Sequence, residues 1–161
     1  MNPRAKRLIE TLDLRPHPEG GHFNQVFRSQ LLVTPSDSRD SRSALTVIYF
    51  LLIGGTISRW HQVLSDEAWH HCEGSPLELF MAPPDGGSLS RVILGPLSAT
   101  SAPLHVVPAR WWQGARPLGS YVLVGCSVGP GFEFSDFNLL SNLPVEKRPS
   151  INPKSISAEL L

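Results

Sequence analysis

The sequence predicts an all-β domain, a barrel or jelly roll of short antiparallel strands, with one short helix in front of it. Three observations carry this. Short apolar runs recur after residue 20 and each is ended by turn chemistry; the 13 glycines and 15 prolines are scattered between those runs; and only one stretch has helical periodicity. Eight or so short strands with almost no helix between them favour a barrel or jelly roll over an alternating α/β fold.

The helix is expected over Arg4 to Leu14, where Ala5, Leu8, Ile9 and Leu12 share one face and Lys6, Arg7 and Glu10 the other. Pro16 and Pro18 stop it, and Gly20-Gly21 supplies positive-φ freedom before an extended stretch, His22 to Leu32. Ser36 to Ser43 reads as a charged loop. Leu45 to Ile53 is a continuous β-branched and aromatic run that suits a strand buried on both faces. Further strands are expected at Ala68 to Cys72, Leu77 to Met81, Leu89 to Leu94, Leu104 to Val107, Tyr121 to Val128 and Phe132 to Leu139. Their separators are turn sequences such as Glu73-Gly74-Ser75-Pro76 and Pro83-Pro84-Asp85-Gly86-Gly87. The chain is thus read as one domain over residues 1–161: helix 4–14, barrel about 20–140, and a tail, 144–161, lying along the surface or on a partner subunit.

Composition narrows the function classes. A formal net charge of zero with 17% charged residues offers no field for a phosphate backbone, so nucleic acid is not an expected partner. The longest apolar stretch, Ala44 to Ile53, is about half of what a bilayer crossing needs, and the N-terminus lacks the apolar core of a secretory signal. The expectation is a cytoplasmic protein without membrane contact. Cys72 and Cys126 are far apart and read as buried or idle thiols.

The informative segment runs from Gly55 to Gly74. Gly55 is followed by five residues, then His61, one residue, Val63, three residues, Glu67, six residues and Gly74. This spacing resembles the first cupin motif, with Val63 standing where a second histidine is usual. On a strand, His61 and position 63 share a face, and Glu67 returns to the same interior after the Leu64-Ser65-Asp66 turn. A later strand, Val106 to Gln113, is similar to the second cupin motif through Pro108, with Arg110 where glycine is usual and Gln113 where the last histidine would stand. The resemblance places His61, Glu67 and Gln113 at the floor of a pocket inside the barrel. With two of four ligand positions altered, no cofactor or metal is expected; were a divalent metal held, His61, Glu67 and Gln113 would be its ligands.

Three further segments narrow the resemblance: His17-Pro18-Glu19-Gly20-Gly21, Trp60-His61 with Ser65 to His70, and Pro130-Gly131-Phe132-Glu133-Phe134 with Asp136-Phe137. Together they resemble the cupin-5 family over about residues 5–140. The resemblance implies a double-stranded β-helix that usually forms a homodimer, with no firmly established activity. It also implies a distant kinship with metal-free dTDP-4-dehydrorhamnose 3,5-epimerases, hence a sugar or sugar nucleotide as ligand. In this chain Gly21-His22-Phe23-Asn24-Gln25 puts Gln25 where those epimerases carry an acid.

On that analogy His61 is the candidate base for removing a proton next to a carbonyl, since imidazole titrates near neutrality. Glu67 is the nearest carboxylate to orient it, and Tyr49 or Tyr121 would return the proton. Trp60, Trp69 and Trp112 are candidate aromatic walls, although core filling accounts for at least two tryptophans equally well. Of His70 and His71, one faces inward and the other does not. Arg28, Arg91 and Arg110 are candidates to meet an anionic ligand. His17 and His22 read as turn or capping residues, and the Pro130 to Phe134 stretch as architectural, with Glu133 and Asp136 its only polar candidates. Three function classes stay open: a metal-independent isomerase or epimerase, a non-catalytic small-ligand module, and a metal-dependent enzyme with a reduced ligand set.

Overall fold

The computed structural model describes residues 1–161 apart from the side chains of Ser155 and Ser157. It opens with α1 (Pro3–Thr11), capped by the Asn2 carboxamide, whose oxygen accepts from the Arg4 and Ala5 amides at 2.8 and 3.3 Å. The helix stops three residues earlier than the apolar spacing suggests, because Asp13 turns the chain through a positive φ of 48°.

Two sheets face each other as a double-stranded β-helix. The larger is ordered β1 (Arg15–Pro16), β2 (His22–Arg28), β5 (Thr46–Ile53), β13 (Tyr121–Gly129), β7 (Asp66–Gly74), β11 (Leu104–Val107). The smaller is ordered β10 (Ser90–Leu94), β8 (Leu77–Ala82), β12 (Trp112–Pro117), β6 (Ser58–Val63), β14 (Phe137–Leu139). All neighbours within these two sheets are antiparallel. Two small pairs complete the set: β3 (Leu32–Val33) with β4 (Arg42–Ser43), and β9 (Gly86–Ser88) with β15 (Ser150–Asn152).

The all-β fold expected from the sequence is present, and β5 is covered on both faces as its composition requires. Phe50 and Leu52 enter the space between the sheets, while Leu51 packs beneath Ala5 and Leu8 of α1. One half of that space is filled solid by hydrocarbon from both sheets, including Leu77, Leu79, Met81, Leu94, Val122 and Val124. The other half is hollow.

Two expectations need correction. Val106 to Gln113 is not one strand: β11 belongs to the larger sheet, β12 to the smaller, and Arg110 turns the corner between them at φ 68°. The left-handed conformation explains why glycine is usual there. Phe132 to Leu139 is mostly a corner, a single 3-10 turn at Phe134–Asp136 before the short β14. The tail runs along the outside of the sandwich and is packed there. Ile151 and Leu160 are buried against Trp60, Phe80 and Trp112 on the outer face of the smaller sheet, and the Trp60 amide donates to the Leu160 carbonyl at 2.8 Å.

Candidate functional site

The hollow half of the sandwich is an open cavity whose interior offers about 90 Å³ to the centres of water-sized molecules, room for several waters or one compact organic molecule. Phe23, Phe50, Phe132, Phe134 and Phe137 give it an aromatic wall, continued by Ile48, Val63 and Val128. Its polar groups are few: His17, Glu19, His61 and Glu67 inside, and Gln25, Arg28 and Glu133 towards the rim.

His61 reaches the interior from β6 by pleat alternation with Val63, and a bulge brings Ser58 to the same side. The three steps from Ser58 to His61 lie opposite only two steps of β12, Ala115 to Gln113. The extra residue breaks the strict alternation, so Ser58 and His61 both meet the same carboxyl group. That carboxyl is Glu19. Its Oε1 accepts from the Ser58 hydroxyl at 2.7 Å, and its Oε2 lies 3.2 Å from His61 Nε2 and 3.4 Å from His17 Nδ1.

Glu19 is delivered by a tight turn. The His17 amide donates to the Gly21 carbonyl and the Gly20 amide to the His17 carbonyl, at 3.1 and 3.0 Å. Gly20 has φ 110°, and a Cβ there would stand 2.2 Å from the Ile57 carbonyl oxygen, so only glycine lets this turn press against the start of β6.

The hydrogen bonds assign the protons. His61 Nδ1 lies 2.7 Å from the Arg59 carbonyl, which only accepts, so Nδ1 carries a hydrogen and the lone pair of a neutral ring sits on Nε2. The 3.2 Å contact from Nε2 to Glu19 Oε2 therefore holds one shared proton; without it two lone pairs would oppose each other. His17 Nδ1 accepts from the Glu19 amide at 3.3 Å, which leaves the His17 hydrogen on Nε2.

Burial sets the acidities. It pushes the Glu19 carboxyl from 4.5 up to about 8, against the Ser58 hydrogen bond and the Arg59 charge. Burial, then the neighbouring His61, lowers His17 from 6.5 to about 3. His61 is lowered by burial, with Glu67 pulling the other way, and Glu67 is raised by burial, with His61 and Gln113 opposing.

Glu67 is held from behind. Trp69 Nε1 donates to Gln113 Oε1 at 2.9 Å, which fixes the amide so that Gln113 Nε2 donates to Glu67 Oε2 at 2.6 Å. The Cys126 thiol borders the same wall, its pKa raised by burial.

A family profile described as Cupin superfamily (DUF985) matches residues 6–140. The chain belongs to that family. A protein of known structure from Shewanella oneidensis is 33% identical, with a TM-score of 0.82 over 97% of this chain and 96% of its own. A hypothetical protein from Leishmania major is 32% identical, with a TM-score of 0.77 over 83% and 85% of the two chains. An uncharacterized conserved protein with a double-stranded beta-helix domain from Klebsiella pneumoniae, 13% identical with a TM-score of 0.54 over 81% and 92%, shares the fold. No curated protein matches the chain. Among the described residues, no helix is long and apolar enough to cross a membrane.

Cupins commonly hold a metal, and the donor set here does not fit one. Val63 lines the cavity with hydrocarbon, Gln113 has its oxygen engaged by Trp69, and both nitrogens of His61 have partners. Among the described residues, no three His, Cys, Asp or Glu side chains are grouped to hold a metal ion.

The remaining sequence candidates separate cleanly. His61, Glu67 and Arg28 line the cavity; Gln113 stands behind Glu67. Trp69 is core, edge-on to Phe50 at 5.9 Å. Trp60 and Trp112 are not walls of this cupin's cavity. Each adjoins an inward residue, His61 or Gln113, and so points out of the sandwich towards the tail. Tyr49 fails for the same reason, lying beneath α1 between the inward Ile48 and Phe50. Tyr121 donates to Glu73 at 2.8 Å outside the cavity, so neither tyrosine is placed to return a proton to a ligand there. His70 is exposed, and His71 meets the Ser75 carbonyl at 3.2 Å, so neither histidine lines the cavity. Arg91 and Arg110 pair with Glu78 and Asp37.

Sequence reasoning missed Glu19 and His17. It read the His17 to Gly21 segment as a turn, which it is, but the turn is folded inward. The phenylalanines of the Pro130 to Phe134 stretch were likewise assigned to architecture, and both, Phe132 and Phe134, wall the cavity.

Proposed function

We propose that this cupin binds a small carbohydrate-like carbonyl compound and catalyses metal-free proton transfer next to the carbonyl, an isomerase or epimerase chemistry with His61 as base. One observation carries the reading: His61 Nε2 and Glu19 Oε2 share a proton at 3.2 Å, beside an open cavity, with Nδ1 already committed to the Arg59 carbonyl. A base and an acid thus stand side by side. When a carbonyl compound inserts between them, Nε2 takes the proton from the α-carbon while Glu19 gives its proton to the carbonyl oxygen. The C–H electron pair becomes the C=C bond of an enol, and the pair is left as imidazolium and carboxylate with no change in total charge. Reversal, with the proton returned to either face or to the neighbouring carbon, gives the epimer or the isomer. Glu67, whose charge raises the basicity of His61, stabilises the imidazolium.

The test is deuterium uptake from heavy water into a 4-keto or 2-keto sugar, followed by NMR. The wild-type chain should promote exchange, and His61→Ala should reduce it about 100-fold or more. Equal exchange by the variant removes His61 from the role. One observation favours a second reading, non-catalytic binding: both ring nitrogens of His61 are already partnered. Saturable binding of the same sugar with no exchange would select it.

A further inference from the structure

The charges around the cavity are unevenly engaged. Three carboxyl groups line it, Glu19 and Glu67 in the interior and Glu133 at the rim, against a single guanidinium, Arg28. Both terminal nitrogens of that guanidinium are engaged. Nη1 donates to Glu133 Oε1 at 2.7 Å, and Nη2 donates to Gln25 Oε1 and to the Phe132 carbonyl, each at 3.0 Å. The two imidazoles supply no positive charge, since burial keeps both from protonating at neutral pH.

A carboxylate or phosphate entering the cavity would lose its hydration and find the terminal nitrogens of Arg28 already taken. A carbonyl oxygen loses less water and needs one donor, which the proton between Glu19 and His61 provides. The rest of the ligand would lie against Phe23, Phe50 and Phe137.

Resting on the proton-transfer reading above, we infer that the cavity selects its substrate by charge. It takes an uncharged carbonyl compound with a compact apolar or ring face and excludes carboxylates and phosphates, and Glu133 enforces the exclusion by holding Arg28.

Three probes of similar size and different charge test this: acetophenone, benzoate and benzylamine, with binding followed by ligand-observed NMR at neutral pH. Acetophenone should bind about tenfold or more tightly than benzoate. Glu133→Gln, a change at the half-exposed rim, frees Arg28 and should raise the affinity for benzoate relative to acetophenone about tenfold. Benzoate binding as well as acetophenone to the wild-type chain, an unchanged ratio in Glu133→Gln, preference for benzylamine, or no binding of any probe would each overturn the inference. Deuterium uptake into the acetophenone methyl group is read in the same samples. Binding selectivity without uptake leaves charge selection standing and refutes the catalytic reading alone.

Discussion

Two acids buried at the same end of this molecule are treated in opposite ways. Asp136, in the corner that also supplies Phe134 and Phe137 to the cavity, receives Arg42 through two bonds of 2.9 and 3.0 Å and Arg39 at 3.3 Å. Its carboxyl is held below the usual range, chiefly by the Arg42 hydrogen bonds. Glu19 is as well hidden, yet it is given a serine hydroxyl and an imidazole, and its pKa rises to about 8. The chain therefore has arginines to place on a buried acid and uses them where the loop before β5 must be pinned to the corner. At the cavity the acid is left to hold its proton, which is the condition for donating it.

The contrast can be broken from either side. The largest effect on stability is expected for Asp136→Asn, which leaves Arg39 and Arg42 without their common anion. A loss of about 2 kcal/mol in urea denaturation is expected, below the roughly 3–5 of a fully buried pair because both arginines keep some contact with water. A neutral result would show that the paired acid is not structural and would remove one half of the comparison. Next comes Gln113→Leu, which strands the Trp69 indole N–H and one oxygen of Glu67. It should cost about 1.5 kcal/mol and reduce any exchange activity together with it. Stability lost with exchange intact would make the amide a core link only.

The third effect is one of pH. Because the Glu19 carboxyl is raised from 4.5 to about 8, the folded chain keeps a proton that the unfolded chain has released. Its stabilising effect is complete below pH 4.5 and is lost as pH rises through about 8. His17, lowered from 6.5 to about 3, has the opposite sign: its contribution is present above pH 6.5 and is lost as pH falls through about 3. The two slopes oppose each other between pH 4.5 and 6.5, so the decline of Tm with pH should show above 6.5. Glu19→Gln should flatten that alkaline decline. A decline of the same steepness in the variant would mean that Glu19 is not the group that titrates.

Much of the fold was legible. The strands at Leu77, Leu104 and Tyr121 begin where the apolar runs begin, and the spacing from Gly55 to Gly74 located two successive strands, β6 in the smaller sheet and β7 in the larger. Pleat alternation should also have removed Trp60 and Trp112 from the wall, because each is adjacent to a residue assigned inward. Aromatic side chains suit a sugar and a core equally, and the alternation decides for the core. The split of Val106 to Gln113 was harder to see, since Arg110 adopts a backbone conformation that its side chain disfavours.

By itself the sequence determined what consecutive residues can settle: which runs extend, where they turn, and that His61 and Glu67 stand at cupin positions. Pleating and turn geometry act over a few neighbouring residues, so they are written locally. Tertiary structure alone decided that Glu19, and not Glu67, meets the imidazole, that no arginine reaches either interior acid, and that one half of the sandwich stays hollow. Proton sharing and burial depend on which distant atoms come within a few ångströms of one another, and a bulge or an inward turn changes that without leaving a periodic mark in the chain.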